Sequence, residues 1–201
     1  MLHVLMAPER AAPWLALAFA IGYLAGSIPF GLIVARLMGR GDPREIGSGN
    51  IGATNVLRTG SKAAAGLTFV LDFLKGLVPV LAFLSWGDLA GQAAGLGAFV
   101  GHCLPVWLRF KGGKGVSTWF GVAFALHWPA GVALAAIWLA VARLSRTSAL
   151  GALAASLAGP FVFYAFARLE AVLIMALLAV LIWLTHTGNI ARLLKGGENR
   201  F

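Results

Sequence analysis

VSTWFGVAFALHWPAGVALAAIWLAV, residues 116–141, runs 26 residues without a charge. It is either one long membrane crossing or two short ones broken at His127, Trp128 and Pro129, where proline removes a backbone donor. Its flanks show the same alternation of apolar runs and short polar loops. Apolar segments at residues 11–38, 63–86 and 89–108 precede it, and segments at 148–167 and 169–185 follow it. Charge decides between the two readings, because cytoplasmic loops collect Lys and Arg. Two crossings make seven in all; with the N-terminus outside, 13 Lys and Arg face the cytoplasm and only Arg10 and Arg168 face out, Lys75 lying within the membrane. One crossing gives a split of 9 to 6. The 13-to-2 arrangement is preferred, although residues 116–128 make only roughly 20 Å of helix and cannot span alone. Short, re-entrant or steeply packed helices are expected there.

Composition agrees. The 201 residues are 60% hydrophobic and 11% charged, with a mean hydropathy of +0.86, whereas about 25% of an ordinary soluble domain is charged. The expected fold is therefore all-α: a polytopic membrane protein of about seven transmembrane helices, some short or broken, with the C-terminus cytoplasmic, forming a single domain over residues 1–201. The net charge of +9 sits in the loops and reads as membrane orientation, not nucleic-acid binding. Cys103 is the single cysteine, which excludes an internal disulfide and a cysteine metal cluster. No basic run precedes the first apolar residues, so no cleaved leader is read, and the first helix does the targeting.

Within the first segment, Pro29 predicts a kink. The second carries Asp72 and Lys75 on one helical face, either a functional pair or a self-neutralising structural one. In the third, Gly91, Gly95, Gly97 and Gly101 suit close helix packing.

The seven-crossing arrangement brings four polar loops to one face. The sequence RFKGGKGVST, residues 109–118, joins Arg109, Lys111 and Lys114 to Gly112, Gly113 and Gly115, a pattern suited to an anion-binding nest of backbone amides reinforced by lysine. It is no nucleotide loop, since Gly115 stands where the magnesium-binding Ser or Thr should be. The competing reading is a flexible positive-inside loop. The loop over residues 40–62 interleaves Gly47, Gly49 and Gly52 with Ser48, Asn50, Thr54 and Asn55. Those asparagines donate and accept, as a polyol needs, and Arg58 suits a phosphate. Near the C-terminus, His186 and Asn189 fall on one face if the helix persists.

Five strings then carry a resemblance: GSIPFGLIVARL (residues 26–37), IGSGNIGATNVLRTG (46–60), LDFLKG (71–76), GHCLPVWLRFKGGKGVST (101–118) and NIARLLKGGENR (189–200). In this order, over essentially the whole chain, they closely resemble the bacterial acyl-phosphate:glycerol-3-phosphate acyltransferases, the PlsY family. The resemblance implies an inner-membrane enzyme, active site to the cytoplasm, that moves a fatty acyl group from acyl phosphate to the 1-hydroxyl of sn-glycerol 3-phosphate, giving lysophosphatidic acid and inorganic phosphate. It implies substrate binding by Ser48, Asn50, Thr54, Asn55 and Arg58, a phosphate loop at Gly112, Gly113 and Gly115, and catalytic roles for Lys114, His186 and Asn189. The C-terminal motif usually reads His-Arg-Glu-Asn-Ile; here Thr187 and Gly188 replace the Arg and Glu, and Gly188 should loosen the alignment of His186 with Asn189. Ser148 is carried over from a pair of serines whose second member is Ala149 here.

An acyl phosphate is already activated, so no covalent acyl-enzyme is expected, only positioning and charge neutralisation. The proton goes to His186 or to a phosphate oxygen of the donor, the latter being preferred, with His186 then neutralising the acceptor's phosphate. No cofactor or metal is implied, for want of a His and carboxylate cluster. No histidine has Asp five residues on, which argues against thioester donors. The bilayer and the two substrates are the partners, with transient contact to a soluble acyl-phosphate synthase conceivable. A transporter or channel for a phosphorylated solute is the rival, and a structural scaffold the third reading.

Overall fold

The helix that starts at Val116 ends at Leu126, and a second runs Trp128–Ser145. His127 separates them in an extended conformation, its Nδ1 accepting from the Ala130 amide at 3.4 Å. Pro129 then falls in the first helical turn, where a missing N–H costs no intrahelical bond. The break lies where the sequence places it, but the halves are unequal. The first, 11 residues, is about 16 Å long, while the second, 18 residues, is about 27 Å and runs past the apolar stretch through Arg143.

The computed structural model describes residues 8–200. The absence of a leader read for residues 1–7 lies outside them. Among the described residues are ten α-helices: α1 (Pro8–Gly26), α2 (Phe30–Leu37), α3 (Ala53–Leu57), α4 (Lys62–Leu84), α5 (Asp88–Cys103), α6 (Val116–Leu126), α7 (Trp128–Ser145), α8 (Ser148–Ala165), α9 (Leu169–Thr185) and α10 (Thr187–Leu194). No strand occurs among the described residues, as an all-α fold requires. Five stretches of the described residues are long and apolar enough to cross a membrane: Ala11–Leu37, Lys62–Leu84, Asp88–Leu108, Trp128–Ser145 and Ser148–Ala165. A sixth forms if α9 and α10, bent by 62°, count as one. The short α6 is the difference between that count and the seven expected. The kink at Pro29 is a full break, since α1 ends at Gly26 and α2 starts at Phe30.

The chain forms two compact units, Met1–Leu126 and His127–Phe201. In the first, α1 packs along α5, and α4 packs along both α5 and α6. Lipid supplies no hydrophobic drive between helices, so association rests on close backbone approach. Glycine supplies it from both sides of the α1–α5 seam: a methyl on Gly22 or Gly26 would strike the carbonyl of Ala94 or Ala98, and one on Gly97 or Gly101 would strike that of Phe19 or Tyr23. Gly76 and Gly121 do the same between α4 and α6. All four glycines predicted for packing therefore pack, but Gly91 meets Leu84, and Gly95 meets Val80 and Val122. In the second unit α7, α8 and α9 pack in succession and α10 touches α9, around buried Leu134, Phe163, Met175 and Leu178.

Candidate active site

In the first unit the loop before α3 is organised by one side chain. Asn55 is 3% exposed. Its Nδ2 donates to the carbonyls of Pro43 at 2.5 Å, Asn50 at 2.8 Å and Ile46 at 3.2 Å. Its Oδ1 accepts from the Ser48 amide at 3.0 Å and from Arg58 Nη1 at 3.1 Å. This exhausts what an amide can make, so Asn55, expected on substrate, is instead the clasp that gives the loop its shape. Asn50 caps the turn into α3 by accepting from the Gly52 amide at 2.9 Å. Gly47 is left-handed, with φ 55°, and a methyl there would strike both Asn55 and Arg58. The clasp leaves Ser48, Thr54 and Arg58 exposed at the loop surface. At the loop's entrance, hydrogen bonds from the Arg44 side chain hold the Asp42 carboxyl below its usual range, so this acid is committed to its neighbour at 2.6 Å.

The glycine turn departs from the expected nest. The amides of Gly112 and Gly113 do not point outward to an anion; they donate to the carbonyls of Cys103 at 3.1 Å and His102 at 3.0 Å. They thereby satisfy carbonyls that the end of α5 would leave orphaned. Their lack of a side chain serves close packing: a methyl on Gly112 would meet the His102 carbonyl and Pro105, and one on Gly113 the His102 ring. Gly115, at φ 83°, lies on the Phe99 ring. At the start of α6 the first helical bond is Trp119 N–H to Gly115 O at 2.7 Å. The amides of Val116, Ser117 and Thr118 therefore have no intrahelical acceptor, and Lys114, half-buried, stands immediately before them. A helix N-terminus with an adjacent lysine favours an anion. Of the expected anion-binding turn, the amides of Gly112 and Gly113 are therefore spent inside the protein.

In the second unit, His186 stands at the bend between α9 and α10 and is 2% exposed. Its Nδ1 lies 2.8 Å from the Ile182 carbonyl. A carbonyl only accepts, so Nδ1 carries the proton and Nε2 the lone pair in the neutral ring. The ring is thus anchored from the α9 side. Asn189, 5% exposed, donates to Glu198 Oε1 at 2.8 Å, and Arg192 Nε donates to Glu198 Oε2 at 3.0 Å. Glu198, given no role by sequence reasoning, therefore supplies an ion pair near Asn189 where Thr187 and Gly188 have displaced the usual charges. Only its Arg-x5-Glu spacing could have hinted at this. Ser148 begins α8 and is half-buried. Its neighbour Thr147, with Leu150, Leu193 and Glu198, lines a cavity of about 160 Å³. No cluster of three His, Cys, Asp or Glu suited to a metal occurs among the described residues.

Helices of spanning length, with basic groups at loops and helix ends, define an all-helical integral membrane protein. The family model described as glycerol-3-phosphate acyltransferase matches residues 16–196. The chain is 54% identical to the glycerol-3-phosphate acyltransferase of Nitrobacter winogradskyi over 92% of its length and 94% of the relative's. To that of Methylorubrum populi it is 52% identical, over 97% and 98%. A crystal structure of PlsY (YgiH), an integral membrane glycerol 3-phosphate acyltransferase in its glycerol 3-phosphate form, is similar with a TM-score of 0.86 and 35% identity, covering 96% of both chains. Its lysophosphatidic acid form is similar at 0.85 and 34%, covering 93% of this chain and 95% of that one. The chain belongs to the glycerol-3-phosphate acyltransferase family.

Proposed function

We propose that the protein transfers a fatty acyl group from acyl phosphate to the 1-hydroxyl of sn-glycerol 3-phosphate, releasing lysophosphatidic acid and inorganic phosphate. The observation that carries this reading is the opening of α6: Lys114 and three amides without helical acceptors, on a turn docked by two backbone bonds onto α5, in a chain 35% identical to a transferase solved in its glycerol 3-phosphate form. The transporter alternative finds no support among these relatives.

In the proposed reaction the C1 hydroxyl oxygen attacks the acyl carbonyl carbon, the bond from that carbon to the phosphate oxygen breaks, and inorganic phosphate leaves. The hydroxyl proton passes to a phosphate oxygen. Lys114 and the α6 amides neutralise phosphate charge, and Arg58 offers a bidentate contact. Ser48, Asn50 and Thr54 supply hydroxyl partners. His186 neutralises the acceptor's phosphate when protonated, and Asn189 donates to it, with Ser148 in a supporting contact. No acyl-enzyme forms, because the mixed anhydride needs no further activation.

Both units serve this one activity as a single domain over residues 1–201. The protein lies in a bacterial inner membrane, crossing seven times if α6 counts as a short crossing. The polar loops and C-terminus face the cytoplasm, where a soluble acyl-phosphate synthase would meet the loop face, and the N-terminus lies outside. Purified protein in detergent, given palmitoyl phosphate and glycerol 3-phosphate without CoA or carrier protein, should release phosphate and form a lysolipid. Absence of both products refutes the proposal.

A further inference from the structure

Beneath the glycine turn, within the first unit, lies a cluster of charge to which acyl transfer assigns no task. Asp72 and Lys75, one turn apart on α4, form an ion pair at 2.8 Å with side chains 2% and 3% exposed. The same carboxylate oxygen, Asp72 Oδ1, faces Nδ1 of the equally buried His102 on α5 at 3.7 Å, a charge contact and not a hydrogen bond. Burying ions in a membrane span is costly, and intramembrane ionisable groups persist mostly where they serve function. A pair that only neutralised itself would need no third member.

The third member reaches the turn. The Nε2 edge of His102 occupies the place where a side chain on Gly113 would stand, and the His102 carbonyl accepts the Gly113 amide at 3.0 Å. The imidazole is thus a spacer, with Asp72 on its Nδ1 side and the turn on its Nε2 side. Two more ties leave the same hub. Lys75 Nζ donates to the Ile28 carbonyl, in the break between α1 and α2, at 2.9 Å. Thr118 Oγ1, in the first turn of α6, donates to the Asp72 carbonyl at 2.9 Å. Beyond the break, Gly31 of α2 rests on the Ile51 carbonyl in the loop that Asn55 clasps. The hub therefore touches the start of α2, the glycine turn and the opening of α6, the supports of both polar loops in this unit.

We infer that Asp72, Lys75 and His102 form a positioning triad for the phosphate-binding turn: the buried ion pair lies against the Nδ1 side of the His102 ring, and the ring sets where Gly113, and hence Lys114 one residue on, stands. None of the three need touch substrate. The inference rests on the acyl-transfer reading and extends it to residues buried behind the site.

The test compares wild-type protein with Asp72→Asn/Lys75→Met and His102→Asn, each in detergent, by thermal melting and by saturation kinetics in palmitoyl phosphate and glycerol 3-phosphate. Removing both charges together removes the desolvation cost along with the pairing, so the double variant should melt near the wild type. Its kcat/KM should nonetheless fall about tenfold or more, through a raised KM for one of the phosphate-bearing substrates, as expected when a binding group is misplaced. His102→Asn should show the same rise in KM with kcat held within about threefold. Wild-type kinetics in either folded variant, or a fall in kcat with both KM values unchanged, overturns the positioning role. If the double variant does not fold, His102→Asn decides by the same criterion, with His102→Gln in reserve. Lack of lysolipid from the wild type would instead overturn the acyl-transfer reading.

Discussion

Asn55→Asp is nearly isosteric, yet it should disable the loop before α3. The substitution keeps an oxygen for the Ser48 amide and for Arg58, whose guanidinium it should bind more strongly. It also turns Nδ2 into an oxygen facing the carbonyls of Pro43, Ile46 and Asn50 at 2.5, 3.2 and 2.8 Å. Two N–H donors are lost at about 1 kcal/mol net each, and buried carbonyls left without a donor add about 1–3 kcal/mol. The total, about 3–5 kcal/mol, corresponds to a roughly 10²- to 4 × 10³-fold shift from closed to open loop. Because the long helices α1, α4 and α5 of the first unit make none of these bonds, the cost falls on the loop and α3, and melting temperature should change little. Phosphate release from palmitoyl phosphate should drop by at least about 10²-fold, and trypsin should cut sooner at exposed Arg44 and Arg58. Activity within twofold of wild type with unchanged cleavage would refute the clasp. A raised KM with unchanged cleavage would return Asn55 to direct substrate contact.

Lys114→Met should abolish most turnover while leaving expression and thermal melting intact, and near-normal turnover would mean that the turn serves only to orient the chain. His186→Gln should raise KM for glycerol 3-phosphate and spare much of kcat, since Gln keeps a donor but cannot carry charge; a collapsed kcat at unchanged KM would make His186 the general base. Gly26→Leu should lower the melting temperature by overpacking the α1–α5 seam against the Ala98 carbonyl, at about 1–3 kcal/mol or more, and an unshifted melt would show that the seam opens freely. Thr59→Cys and Thr187→Cys, each in a Cys103→Ala background, should both label with an impermeant maleimide only from the cytoplasmic side; opposite sidedness would sink the seven-crossing arrangement.

Much of the architecture is legible because it depends on local chemistry. The break at His127 is written in a proline that fits a first helical turn, and the α1–α2 break in Pro29. The spacing of Gly97 and Gly101 marks a seam, although not which helix lies across it. The destination of a backbone amide is not legible, which is why Gly112 and Gly113 read as anion ligands when they cap α5. A glycine needed for close approach and a glycine needed for an anion look alike in sequence. Asn55 fails for a related reason: a side chain that can donate and accept suits a polyol and a loop clasp equally well, and only the positions of Pro43 and Ile46 choose between them. Glu198 and His102 carry no signal in the sequence because their partners, Asn189 and Arg192 for the one, Asp72 and Gly113 for the other, are brought near by a bend and by helix packing that no short motif encodes.

The capping of α5 bears on how the site could work at all. The last carbonyls of α5 carry partial negative charge and the first amides of α6 partial positive charge, and only residues 104–115 separate the two ends. Gly112 and Gly113 turn inward to neutralise the first end, so that Lys114 and the α6 amides present the second without the α5 carbonyls competing beside it. The geometry of the proposed anion site would then be set largely by backbone bonds and by a buried ring, and little reorganisation would be needed for phosphate to bind. Substitutions at Lys114 should therefore act on charge and leave the turn intact. Substitutions at Gly113 should act on the turn and misplace Lys114 with it, so that combining the two should cost little more than Gly113→Ala alone, the non-additivity expected of residues that act as one unit.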